Sequence, residues 1–514
     1  FGCYGRGQPG ARRNGRVGLS MTQPARQLEE LLQGMVPPDA ASASAMITNL
    51  TLDSRTASAG SLFFGIPGAK TDGRQFVGQA LRSGAAAALV EGRGWTRSES
   101  KENCYPIDDL RTHIGEIASR FFGSPSHALC VVGVTGTNGK TTCATLLAQA
   151  LDLLGRKSGL IGTTGWGLAN DLQPSGLTTP DALTLQSRLA DLAAQGADSV
   201  CLEVSSHAID QGRIEGIHFN SALFTNLSRD HLDYHRTMEH YAETKLLLFR
   251  RRELESAVIN VADPIGRVLA GEDLSARLWT YGDDASADVF PTKVDIDTGG
   301  IALCLESPIG EISFASALQG HFNVSNLTAV ATMLIAHGCS VTKISEVMGQ
   351  LESVPGRMLF CQGSGGGRPT VVVDYAHTPV ALSLLLKSLR TYTEGELWCV
   401  FGCGGERDRG KRSEMGQEAS RWADRIVLTN DNPRGEDPEE ILSDIAEGMG
   451  SRAEACIPQR DLAIAHALAH ASPHDLVVVA GKGHETSQIV GDRVMPFSDQ
   501  AIAEEILRTM PCSV

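Results

Sequence analysis

The stretch T-G-T-N-G-K-T-T, Thr135 to Thr142, decides how this chain is read. It follows the apolar run Ala128 to Val134, which has the character of a buried strand, and precedes A-T-L-L-A-Q-A-L, which has the character of a helix. A strand, a glycine-bearing loop and a helix N-terminus together form a phosphate cradle. Backbone N–H groups point at the anion, the helix dipole favours it, Lys140 neutralises it and a Thr hydroxyl can ligate Mg²⁺. Gly136, Thr137, Asn138, Gly139, Lys140, Thr141 and Thr142 are therefore expected to bind a nucleoside triphosphate. The spacing departs from the general phosphate loop, because Val134 stands where a first glycine is usual.

Size and composition set the frame. With 514 residues the chain is too long for one core, so roughly two to four domains are expected. Hydrophobic residues make up 42% and charged residues 20%, ordinary proportions for a globular protein. No apolar run is long enough to span a bilayer, so no membrane insertion is expected. A formal charge of −15 argues against a general nucleic-acid surface. The 12 cysteines are scattered singly and suit buried thiols in a reducing cytoplasm better than a zinc site. Residues 1–20 are rich in Gly and Arg, contain no acidic residue and lack the apolar core of a secretory signal. They are expected to be a non-native or disordered extension.

Beyond the loop, the chain alternates strand-like and helix-like segments. Strands are expected at Val200–Val204, Thr370–Asp374, Leu397–Phe401, Arg425–Thr429 and Leu476–Ala480. This alternation predicts an α/β protein whose parallel sheets carry functional loops at their carboxyl ends. Three domains are expected: 21–110, 111–355 with a P-loop ATPase-type sheet, and a Rossmann-like 356–514.

Several polar residues sit where such loops belong. Glu203 ends a strand, where an acidic residue can hold the Mg²⁺ that Thr141 also touches. In N-L-S-R-D-H-L-D-Y-H, Asn226 to His235, His231 is the candidate for a second metal. Lys245 lies on the apolar helical stretch Y-A-E-T-K-L-L-L-F, where a desolvated amine could react with CO₂. Asp374, in V-D-Y-A-H-T-P, is placed to meet ribose hydroxyls, with His377 nearby.

The compact loop resembles that of the Mur ligases and their folylpolyglutamate synthetase relatives, which join an amino acid to a carboxylate with ATP. Further motifs in the family's order extend the resemblance from about residue 50 to 490. It implies ATP, two Mg²⁺ ions and a carbamylated Lys245 acting with Lys140 and His231. It also implies nucleotide contacts from Asn323 in G-H-F-N-V-S-N, from Arg357 in P-G-R-M, and from Asp374 and His377. Ser54 in D-S-R-T, Thr178 and Thr179 in L-T-T-P-D, and Ser205, Gln211 and Arg213 are implied to hold a UDP-muramyl-dipeptide.

The amino-acid specificity is implied by D-N-P-R, Asp431 to Arg434, which resembles the signature of members that add meso-diaminopimelate. Arg434 can grip the distal carboxylate through two parallel hydrogen bonds, and L-lysine would leave it unpaired. Arg407, Asp431, Asn432, Pro433, Gly481 and Glu485 are the remaining implied contacts. Rival readings are a lysine-adding ligase, a folylpolyglutamate synthetase and a Mur-like ATP-binding scaffold. A monomer is expected.

Overall fold

The computed structural model describes residues 24–35, 43–68, 71–96, 102–361, 367–450 and 453–510. The expected extension at 1–20 lies outside them. The chain divides into two compact units, one ending at Leu110 and one starting at Arg111.

In the first unit, four parallel strands run in chain order: Asn49–Thr51, Ser61–Gly65, Ala87–Glu91 and Cys104–Ile107. The second strand, S-L-F-F-G, is buried throughout, as expected of a central parallel strand covered on both faces.

The second unit contains two large sheets. Its first has eight strands, ordered Asp171–Gln173, Gly165–Leu168, Ser158–Gly162, Ser199–Glu203, Cys130–Thr135, Ser221–Phe224, Ser256–Asn260 and Arg277–Tyr281. The last six are parallel, and the first two close one edge as an antiparallel meander. The phosphate-loop strand is central, between Ser199–Glu203 and Ser221–Phe224. That order puts Glu203 and the Asn226–His235 segment on either side of the loop, at the carboxyl ends of adjacent strands.

The helix Lys140–Leu153 leaves the loop with Thr141 to Ala148, Ala150 and Leu151 buried. The helix Phe322–Ala336 is buried almost all round, and the two share a core of Val132, Leu146, Leu147, Leu327 and Val330. A helix apolar on every side belongs inside a protein, and this one also lies against the antiparallel sheet Phe290–Asp297, Gly300–Glu306 and Ile312–Ser316.

The other large sheet runs Leu359–Cys361, Thr370–Asp374, Leu476–Ala480, Leu397–Phe401, Arg425–Leu428 and Ala455–Cys456. Only its first strand is antiparallel. Asp374, Asn430 to Arg434 and Gly481 to Glu485 follow carboxyl ends of these strands. No helix among the described residues is long and apolar enough to cross a membrane.

Candidate active site

The phosphate loop is held open by backbone geometry. Gly136 has φ +146°, and a Cβ there would lie 1.9 Å from Thr225 Oγ1. Gly139 has φ +84°, and a Cβ would lie 2.7 Å from Asn326 Oδ1. Only glycine fits both positions. Lys140 Nζ donates to the carbonyls of Gly136 and Thr137 at 2.9 and 2.8 Å. Burial lowers its pKa, against the attraction of Glu203 and Asp230. Thr137, Asn138, Gly139, Lys140, Thr141 and Thr142 line a cavity of about 980 Å³, which Glu203, His231, Lys245, Arg357, Asp374 and His377 also line.

Glu203 is completely buried, and no ion pair engages it among the described residues. Thr141 Oγ1 donates to Glu203 Oε2 at 2.8 Å, and Thr163 reaches the same carboxylate through its backbone N–H and its hydroxyl. A buried, unpaired carboxylate beside a hydroxyl, facing a cavity, is a donor set that suits a hard divalent cation. No group of three or more His, Cys, Asp or Glu side chains able to hold a metal occurs among the described residues. A bound cation would therefore take further oxygens from a nucleotide or water.

Lys245 is 1% exposed, donates to Gly136 O at 2.7 Å and lies over the Tyr241 ring at 4.7 Å. Burial, reinforced by Lys140, drives its pKa well below the ordinary lysine value. A neutral amine is the form that reacts with CO₂. His231, at φ +57°, stands before the short helical turn Leu232–His235, 6.2 Å from the Tyr241 ring. Burial pushes its pKa down to about 3, so its imidazole is neutral and can act as a ligand.

Asp230, beside it, is the hub of this wall. Its Oδ1 accepts from Lys411 Nζ at 2.9 Å, while its Oδ2 lies 3.5 Å from His231 Nε2 and 3.7 Å from His377 Nε2. Burial alone would raise its pKa, but Lys411 and the two histidines outweigh that and hold it well below the carboxylate range.

On the nucleotide side, Arg357 Nη2 donates to Thr141 Oγ1 at 3.1 Å, and its guanidinium lies 4.4 Å above Tyr375. Both Asp374 oxygens accept backbone N–H groups, from Met358 and Ala376, each at 2.7 Å. Asn323 does not line the large cavity. Its amide donates to Gln319 O, and it borders a smaller cavity of about 220 Å³. Asn326, three residues on, faces Gly139 and lines the large one.

The substrate candidates divide. Thr178 and Ser205 line the large cavity. Thr179 is buried, its hydroxyl donating to Glu203 O at 2.7 Å and its carbonyl accepting from Arg213 at 2.9 Å. Gln211 accepts from Arg213 and donates to Tyr234 OH. Ser54 belongs to the first unit, where it donates to Gln79 at 3.2 Å.

The amino-acid candidates form a separate cluster. Arg434, at φ +53°, donates through Nη1 to Gly405 O at 2.7 Å and Asn432 O at 3.3 Å. A Cβ on Gly404 would lie 2.9 Å from Arg434 Nη1 and 3.6 Å from Arg407 Cγ, so the Arg434 guanidinium and the Arg407 stem both border this glycine. Burial, then Arg407, lowers the Arg434 pKa. Among the described residues neither arginine is in an ion pair. Opposite, Glu485 Oε2 accepts from Lys482 Nζ at 2.6 Å and from Asn432 Nδ2 at 3.0 Å. Asp431 lies beside Gly481, whose φ is +119°. Pro433 closes the turn, its carbonyl accepting from Glu436 N.

Thr163, Asp230, Asn326, Lys411 and Lys482 were not singled out by sequence. Lys411 reads there as part of a charged run, R-D-R-G-K-R, and Lys482 as a residue of a glycine loop.

A phosphate loop and a second parallel sheet that share one cavity, with two arginines in no ion pair among the described residues on the loops of the second sheet, fit an enzyme of the ATP-dependent amide-ligase class. The chain belongs to the Mur ligase family. Family models match at residues 46–122 (Mur ligase family, catalytic domain), 134–334 (Mur ligase middle domain) and 356–483 (Mur ligase, glutamate ligase domain). The chain is 44% identical over 479 residues to the UDP-N-acetylmuramoyl-L-alanyl-D-glutamate–2,6-diaminopimelate ligase of Pseudomonas putida, covering 91% of this chain and 96% of that one. It is 42% identical over 476 residues to the ligase of that name from Coxiella burnetii, covering 91% and 97%. A solved structure of a ligase of that name superposes with TM-score 0.67 at 36% identity, over 94% of this chain and 99% of that one. MurF from Acinetobacter baumannii, at 18% identity and TM-score 0.63 over 90% and 96%, shares the fold.

Proposed function

We propose that this chain adds meso-2,6-diaminopimelate to UDP-N-acetylmuramoyl-L-alanyl-D-glutamate, using ATP, in peptidoglycan precursor synthesis. The observation that carries the amino-acid choice is the pair Arg407 and Arg434 beside Gly404, close enough for Arg407 to depress the Arg434 pKa, with neither in an ion pair among the described residues. Diaminopimelate brings a distal carboxylate to such a pair. L-lysine brings only another cation.

In this reading 21–110 binds the UDP moiety, 111–355 binds ATP and 356–514 binds the amino acid, in a cytoplasmic monomer. The ten cysteines among the described residues are free, which is consistent with a reducing compartment. ATP phosphorylates the D-glutamate side-chain carboxylate, with the loop N–H groups and Lys140 holding the phosphates in line. The amine of diaminopimelate then attacks the acyl carbon, phosphate leaves with the C–O bond electrons and the amine loses a proton. Thr178 and Ser205 reach the cavity and are read as contacts of the acceptor peptide. Thr179, Gln211 and Arg213 brace that wall through bonds to one another. Asn326 takes the place of Asn323 against the nucleotide. Glu485 receives the ammonium of the amino acid, with Lys482 and Asn432 fixing its rotamer.

Mg²⁺ would be held by Thr141 and Glu203, and a second ion by His231 and a Lys245 carbamate. Bound there, the ions would neutralise charge on the transferring phosphoryl group. The test is isotopic. With a heavy-oxygen label in the D-glutamate side-chain carboxylate, one labelled oxygen should appear in the phosphate released. Unlabelled phosphate would refute the acyl-phosphate route.

A further inference from the structure

Three ion pairs, to which no function has yet been assigned, join the two sheets of the second unit. Arg229 and Asp230 follow the strand Ser221–Phe224 of the first sheet. Asp408, Lys411 and Glu414 lie at the start of the helix Gly410–Trp422, after the strand Leu397–Phe401 of the other. Arg229 meets Asp408 and Glu414, each at 3.2 Å, and is partly exposed. Asp230 and Lys411 are inside, with side chains only 5% and 7% exposed and 2.9 Å apart. Arg229 also packs on Gly410, where a Cβ would lie 1.9 Å from Nη2. Asp408 is locked in turn, accepting from the Gly410 N–H at 2.9 Å.

The energetics suit a reversible contact. A buried ion pair recovers in Coulomb energy about what it loses in hydration, so it adds little net stability. Breaking one partner away inside the protein is costly, but parting both into water is not. Such a pair therefore specifies one closed geometry while leaving opening cheap. Asp230 also sits beside His231 and His377, so the position of Lys411 bears on residues lining the nucleotide cavity.

We infer that Asp230–Lys411, guarded by Arg229–Asp408, is the latch that closes the nucleotide-binding sheet against the amino-acid-binding sheet, and that Asp230 is a positioning residue for His231 and His377. The latch rests on the proposed ligase reading for its chemical consequence. An acyl phosphate in an imperfectly closed site is open to water, which returns the carboxylate and free phosphate without forming an amide.

The experiment compares the full chain with Lys411→Met, Asp230→Asn and the double variant. Small-angle scattering with a non-hydrolysable ATP analogue reports closure, and the ratio of phosphate released to amide formed reports leakage. We expect each single variant to scatter as a more open particle and to release at least about twofold more phosphate than amide. The double variant should be no worse than either single one, because both report one interaction. A purely structural role would lower total turnover and leave the ratio at the wild-type value. If Lys411→Met does not fold, Arg229→Glu takes its place, and adding Asp408→Arg should restore closure and ratio together. Wild-type values of either the scattering or the ratio in the folded single variants would overturn the latch. If the wild-type chain forms no amide, the ligase reading fails, while the scattering comparison still decides the latch.

Discussion

Replacing Arg434 by Ala removes a guanidinium that borders Gly404 beside the stem of Arg407 and that, among the described residues, is in no ion pair. One nitrogen of Arg434, Nη1, is already committed to the carbonyls of Gly405 and Asn432. The rest of the planar fork is pre-aimed, because these two bonds fix its orientation. A charge-assisted hydrogen bond contributes about 1.5–3 kcal/mol, and a half-buried site places a parallel pair near about 3–4 kcal/mol in total. Its loss corresponds to a fall of roughly 10²–10³ in kcat/KM for meso-diaminopimelate. Alanine keeps the same left-handed backbone as arginine, so strain at φ +53° is unchanged and the melting temperature should move little. The value for L-lysine should stay within about threefold, since lysine has no distal carboxylate to lose. Steady-state phosphate release with each amino acid, on wild type and variant, measures both numbers. A variant that keeps its preference for diaminopimelate, or that loses activity equally with both amino acids, would refute the reasoning.

Gly136→Ala should abolish nucleotide binding by calorimetry, because the new Cβ would collide with Thr225 Oγ1 at 1.9 Å and force the loop out of shape. Glu203→Gln should raise the Mg²⁺ concentration needed for half-maximal turnover by at least about tenfold while leaving the fold intact; an unchanged Mg²⁺ curve would remove Glu203 from the metal site. His337, bonded to Ser221 at 3.1 Å, is pushed by burial from 6.5 down to about 4. Its unfolded form therefore binds more protons between those values, and stability falls as pH drops through that window. At pH about 5 the cost reaches up to about 2 kcal/mol. The urea midpoint of His337→Gln should accordingly depend less on pH than that of wild type.

What was legible in the sequence was local. The phosphate loop reads directly because strand, glycines, lysine and helix are contiguous, and its helix begins at Lys140 as the pattern requires. Strand ends carrying Glu203 and Asp374 were legible for the same reason, as was the turn that holds Asp431 just past a strand. The rest depends on pairings across the chain. Asn323 and Asn326 share one motif, and only the roll of the helix Phe322–Ala336 turns Asn326 toward Gly139. Thr179 reads as a free hydroxyl beside Thr178, yet its oxygen is spent on Glu203 O. Arg407 and Arg434 both border Gly404 only because adjacent strands, Leu397–Phe401 and Arg425–Leu428, end side by side. No spacing rule links Asp230 to Lys411, 181 residues later.

The account stands on one reaction. Phosphate release should be followed with ATP, Mg²⁺ and UDP-muramyl-dipeptide, adding meso-diaminopimelate or L-lysine in turn, with the product weighed by mass spectrometry. The account predicts turnover that requires the dipeptide and diaminopimelate together and yields one amide per phosphate. Equal turnover with lysine, or phosphate release indifferent to both added substrates, would contradict it.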